Sequence, residues 1–166
     1  MKLVIDARYT RITHHDGISR FTAGLIAAAS ELAEVTMLVN DPRQLPLLPD
    51  VPYLKVSSPT SVLEPLVALQ INKLNPDVVF SPMQTMGTFG RKYPVILTLH
   101  DLIYYSHPHA PKFLPAPIRL GWYLFHQVYW PQRWLLNRAD AVATVSNTTA
   151  SLMREHNLTR KHIGLV

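Results

Sequence analysis

Three stretches of this sequence gather side chains able to do chemistry. The first is His14-His15-Asp16-Gly17-Ile18-Ser19-Arg20. A glycine there lets backbone approach a ligand closely, and the amides opening a following helix receive an anion. A tight turn that needs Gly17 for backbone reasons alone explains the same residue. The second stretch is His100-Asp101, directly after the apolar run Val95-Ile96-Leu97-Thr98-Leu99. A histidine at a strand end faces a crevice and hydrogen-bonds a sugar hydroxyl or a phosphate. Asp101 beside it orients a loop or caps a turn. A structural histidine satisfied by its neighbours is the plainer alternative. The third is Ser146-Asn147, after the run Ala141 to Val145, where a serine caps the next helix.

Other chemistries lack their signatures. His14-His15 and the His107/His109 pair suggest zinc, but no carboxylate or cysteine completes a ligand set at a recognised spacing. No metal is expected. There is no cysteine, so disulfides and thiolate chemistry are excluded. The dinucleotide fingerprint G-x-G-x-x-G, the phosphate-binding P-loop and the nucleophile elbow G-x-S-x-G are absent.

These residues need a frame to hold them. Leu3-Val4-Ile5 reads as a buried strand, and Ile18, Phe21, Leu25, Ile26, Ala29 and Leu32 recur at helical spacing after it. Further strands are predicted at Val35 to Val39, Val78 to Phe80, Val95 to Leu99 and Ala141 to Val145. A short edge strand is expected at Tyr53 to Val56, and another strand opens at Ile163 to Val166. Pro42 to Pro52 reads as irregular. Val62, Leu66, Leu69 and Leu74 suggest a helix with Pro65 near its start, and a long helix is predicted from Ile118 towards Arg138. Strands alternating with helices, and apolar throughout, imply a parallel sheet covered on both faces. The expected fold is α/β, Rossmann-like and doubly wound, in a single domain over residues 1–166. Ligands bind beyond the C-terminal strand ends of such sheets. That rule selects Arg8 to Arg20, Ser81 to Gly90, His100-Asp101 and Ser146-Asn147.

The segment Trp122 to Pro131 carries two of the three tryptophans, flanked by Arg119, Arg133 and Arg138. Aromatics among cations suit an interfacial helix or a lipid-bearing substrate. Packing of a long helix against the sheet, kinked at Pro131, is the plainer expectation. The net charge of +5 points to anionic partners, or to a solvated basic surface with none. No apolar run approaches the roughly 20 residues of a membrane span, and Asp6 and Arg8 interrupt any signal-peptide core.

Gly17-Ile18-Ser19-Arg20-Phe21 resembles the "G-I-x-R-Y/F" opening of the retaining glycosyltransferases of family 4, which have the GT-B fold. Thr98-Leu99-His100-Asp101-Leu102 resembles that family's strand-end "H-D" element. Arg138-Ala139-Asp140-Ala141-Val142-Ala143-Thr144-Val145-Ser146 resembles its "R-A-D-x-V-x-x-V-S" strand. The matches occur in family order across nearly the whole chain.

The resemblance implies two Rossmann-like domains facing each other across a cleft. This chain would be the N-terminal, acceptor-side domain. The C-terminal, donor-binding domain, with its "E-x7-E" element, would lie beyond Val166. Gly17 would line the cleft near the donor diphosphate, with Ile18 beside it and Arg20 as an anion contact. His100 would be the catalytic residue at the transferred sugar, with Asp101 next to it, and Ser146 would sit beside the acceptor. The family often has Gly-Gly in the first loop, where this chain has Asp16-Gly17.

The implied reaction moves a hexose or related sugar from a nucleoside-diphosphate sugar, with retention at the anomeric carbon. That donor is a co-substrate, and no cofactor is expected. The acceptor is a saccharide, a glycolipid or a small molecule. No nucleic-acid partner is expected, and the location is cytoplasmic, with peripheral contact at an anionic inner membrane face. The other readings are an inverting transferase or sugar-nucleotide epimerase of the same architecture, and a non-catalytic module for a polyanion or membrane surface.

Overall fold

The computed structural model describes residues 1–107 and 115–166. The proline-punctuated stretch after His107, with His109, lies outside them. Packing divides the chain into two compact units, Met1–Leu97 and Thr98–Val166.

The first unit is built on five parallel strands. β1 (Lys2–Asp6) pairs with β2 (Glu34–Val39) on one side and β4 (Val78–Ser81) on the other. β3 (Tyr53–Lys55) adds to β2, and β5 (Val95–Thr98) adds to β4. The order is therefore β3-β2-β1-β4-β5. The strands are apolar on both faces because both are covered, so Val4, Ile5, Met37, Leu38, Val79, Val95 and Leu97 are buried. Chain order reverses between β1 and β4, and the carboxyl ends of those strands form the crevice typical of a doubly wound sheet.

α1 (Gly17–Ser30) returns the chain from β1 to β2 and buries Ser19, Thr22 and Ile26. Thr22 avoids an unpaired buried hydroxyl by donating to the Ile18 carbonyl at 2.8 Å. Leu32, placed on the helix by its spacing, lies beyond it and is exposed. The predicted irregular stretch after Asn40 contains a 3-10 turn at Pro42–Leu47. A capping box starts that turn, with Asp41 and Gln44 satisfying each other's amides. The helix expected from Val62 to Leu74 is three short pieces: 3-10 turns at Glu64–Leu66 and Asn72–Leu74 around α2 (Val67–Ile71). Asn75 ends it in the left-handed conformation, which asparagine tolerates.

In the second unit β6 (Ala141–Thr144) pairs in parallel with β7 (His162–Leu165). Within this unit the Leu99 N–H donates to the Ala143 carbonyl of β6 at 2.9 Å. α3 (Ile103–Ser106) follows the His100-Asp101 turn, and α6 (Asn147–Glu155) follows β6.

The long helix predicted from Ile118 to Arg138 is two helices, α4 (Ala116–Phe125) and α5 (Trp130–Leu136). Pro131 explains the break. Mid-helix it would clash with the carbonyl four residues back and offer it no N–H; in the first turn of α5 that N–H is not needed. The expected burial of this segment also fails. α4 buries no residue, and α5 buries only Gln132 and Leu136. No helix among the described residues is long and apolar enough to cross a membrane.

Candidate functional site

Polar groups gather beyond the strand ends of both units. In the first unit the β1 exit is organised by a buried ion triad that sequence reasoning passed over. Arg8 is 3% exposed and Asp6 is fully buried. The guanidinium meets Asp6 through two bonds, Nε to Oδ1 at 2.8 Å and Nη2 to Oδ2 at 2.9 Å. Its other side reaches both carboxylate oxygens of Glu64 and the Ser57 carbonyl. Burial opposes the charge on Arg8, but the two carboxylates more than offset it and hold the guanidinium firmly protonated. Asp6 and Arg8 stand at alternate positions of a strand end, a pattern the sequence shows. Glu64 lies 56 residues further on and gave no such signal.

The triad fixes the neighbouring loop. Gly87 donates its N–H to Glu64 Oε1 at 3.0 Å. A Cβ on Gly87 would fall 1.7 Å from the Glu64 carbonyl oxygen, so only glycine fits this close approach. Tyr9 spans the β1/β4 crevice by donating its hydroxyl to the Thr85 carbonyl at 3.3 Å, and burial pushes that phenol up to about 12.

A cavity of about 460 Å³ opens at the exits of β1, β2 and β3. Thr10, Thr13, Ser58 and Thr60 give it hydroxyls, with Asn40 and His14 alongside. Gln44 supports its floor by donating to the carbonyls of Arg8 and Thr10. The one arginine in the wall not held in the triad, Arg11, pairs with Asp16. The cavity therefore offers hydroxyls more than net charge.

The predicted first-loop residues stand together on the opening turn of α1. Asp16 is the N-cap and accepts the Ser19 N–H at 2.8 Å, and its other oxygen meets Arg11 Nε at 2.7 Å. Partial burial pushes its carboxyl up, but the Ser19 amide and Arg11 outweigh that and bring it to about 2. The acidic charge before Gly17 is thus neutralised within the loop. Gly17 has no positive φ, and a Cβ built on it meets nothing within 4 Å. The tight-turn explanation for this glycine therefore fails, since nothing among the described residues requires it. Gly17 and Arg20 are exposed, and Ile18 is half-buried.

In the second unit a hydrogen-bond relay joins the other predicted residues. Ser146 N-caps α6 by accepting the Thr149 N–H at 3.0 Å, and its hydroxyl donates to Thr149 Oγ1 at 2.9 Å. Thr149 then donates to the His100 carbonyl at 3.1 Å. Asp101 Oδ1 accepts the Ile103 N–H at 3.1 Å and starts α3. Asp101, Ser146 and Thr149 line a cavity of about 340 Å³. One wall is an aromatic stack: Tyr105 on Tyr129 at 4.4 Å, and Tyr129 on His156 at 4.5 Å. Burial pushes Tyr105 up to about 12. Sequence reasoning missed Thr149 and this stack. The spacing Ser146-x-x-Thr149 is a capping signal that could have found the first, whereas the stack joins side chains far apart in the chain. Among the described residues no three His, Cys, Asp or Glu side chains are placed to hold a metal ion.

Parallel strands with polar, pocket-lining exits define a Rossmann-like ligand-handling domain. Within that class the chain belongs to Glycosyltransferase Family 4, whose profile matches residues 15–166. No curated protein matches it.

Proposed function

We propose that residues 1–166 form the acceptor-side, N-terminal half of a GT-B glycosyltransferase that moves a sugar from a nucleoside diphosphate with retention at the anomeric carbon. The observation that carries this reading is the family match over residues 15–166, a span that takes in Gly17, Ile18, Arg20, His100, Asp101 and Ser146.

Four of these residues take a role in this reading. The open space at Gly17 leaves the start of a 14-residue helix approachable, and its amides and positive end stabilise the charge that develops on a leaving diphosphate. Arg20, exposed one turn on, adds a cation. His100 contacts the transferred sugar, its backbone held by the Thr149 hydroxyl. Ser146 and the aromatic wall border the acceptor. Asp101 is committed to a turn, so no protein carboxylate is assigned as nucleophile. The acceptor in this reading is a saccharide, a glycolipid or a small molecule.

The test is transfer from nucleoside-diphosphate hexoses by a polypeptide carrying residues 1–166 together with a donor-binding domain. His100→Ala is expected to lower turnover by at least about tenfold, and unchanged turnover removes the catalytic role of His100. Proton NMR of the product is expected to show the donor's anomeric configuration; inversion would reject the retaining assignment. Residues 1–166 alone are expected to transfer nothing.

A further inference from the structure

We propose that the α4–α5 face of the second unit docks on an anionic lipid surface, with a headgroup anion held among Arg133, Arg138 and Arg160. This assignment does not depend on the sugar-transfer reading.

The first observation is charge. The first unit holds nine Lys and Arg against eight Asp and Glu; the second holds seven against three. From Leu102 to Ala139 the sequence contains no carboxylate at all. The chain's net positive charge is therefore concentrated in the unit that carries α4 and α5.

The second observation is apolar exposure on those helices. Trp130 is 66% exposed and Trp134 58%, and their i, i+4 spacing puts both on one side of α5. Leu120, Tyr123 and Leu124 of α4 are likewise about half exposed or more, at i, i+3 and i+4. Single exposed apolar residues need no explanation, but large ones grouped at helical spacing mark an interaction surface.

The third observation is the groove beside Trp134. It has a volume of about 790 Å³ and is lined by three arginines, two asparagines, a threonine and Trp134, with no acid. Arg133 is anchored by donating to the carbonyls of His156 and Asn157. The Arg138 guanidinium lies 4.7 Å from the Trp134 ring centroid. A cation over an exposed indole is suited to the headgroup level of a bilayer, where the ring meets acyl chains and the charge meets phosphate. A nucleic-acid backbone would use the arginines but leave Trp130, 66% exposed on the side of α5 that carries Trp134, in water, so lipid accounts for more of the surface.

The experiment is co-sedimentation of the 166-residue chain with phosphatidylcholine vesicles, pure or with about 30% phosphatidylserine, with tryptophan emission recorded alongside. Binding to the anionic vesicles, a blue shift, and loss of binding on raising salt from about 0.05 to 0.5 M are expected. Trp130→Ala with Trp134→Ala, and separately Arg138→Glu with Arg160→Glu, should each weaken binding at least about tenfold while circular dichroism stays unchanged. No binding to anionic vesicles at low salt overturns the proposal, as does binding that neither pair of substitutions alters. Capture by heparin or duplex DNA without vesicle binding would assign the face to a polyanion. Concentration-dependent dimerisation that shields the tryptophans would assign it to a second copy.

Discussion

Replacing Arg8 with methionine tests the ion triad at the β1 exit most directly. The substitution keeps a flexible stem of similar length and removes the only cation between Asp6 and Glu64. Asp6 then loses both side-chain bonds, from Nε and Nη2, and keeps the backbone N–H of residue 8 that donates to its Oδ1 at 3.1 Å. Breaking a buried pair from one side costs about 3–5 kcal/mol, because an uncompensated charge stays behind. That is about a fifth or more of the roughly 5–15 kcal/mol that holds a typical domain together.

Urea unfolding at neutral pH followed by circular dichroism should show Arg8→Met less stable than the parent by about 3–5 kcal/mol. A cost below about 1 kcal/mol would refute the triad's structural role.

Gly87→Ala forces a Cβ into the Glu64 backbone, 1.7 Å from its oxygen, and pulls the Gly87 amide off Glu64 Oε1. A loss of about 3 kcal/mol or more in thermal unfolding is expected, since backbone cannot yield as a side-chain tip can. Asp16→Ala removes the cap of α1 and should cost about 1 kcal/mol at neutral pH. Because the folded carboxyl lies near 2, below its unfolded value, that contribution is full above the unfolded value and disappears as pH falls towards 2. Acid titration of the two proteins by circular dichroism should therefore show their stabilities converging.

The parallel fold was legible because each strand carries its burial in its own letters. Val95-Ile96-Leu97 and Val142-Ala143 are apolar without alternation, which only a sheet covered on both faces explains. The Ser146 cap was legible because capping is local: serine and the amide it serves are three residues apart. What stayed hidden depends on distance along the chain. Glu64 reaches Arg8 across 56 residues, and Tyr129 meets His156 across 27 positions that no periodicity relates. The break between α4 and α5 was half legible. Pro131 stood in plain view, but a kink and a restart look alike in sequence until the backbone shows Pro131 in a first turn.

The residues singled out for chemistry divide by what else they must do. Ser146 and Asp101 each have a structural task that would keep them in place without any ligand: one caps α6 and the other starts α3. Their positions at strand exits are therefore weak evidence of function taken alone. Gly17 is the opposite case. It needs no unusual backbone conformation, its absent Cβ would touch nothing, and Asp16 and Ser19 already secure the helix start around it. A glycine in the first turn of a helix costs about 1 kcal/mol of helix stability relative to alanine at most, and the fold shows no return for that cost. Gly24 and Gly121, inside helices, have equally open space in front of them, so open space alone does not mark a ligand site. In the proposed reading Gly17 differs by its place, since it opens α1, where the free amides of the first turn would meet a diphosphate.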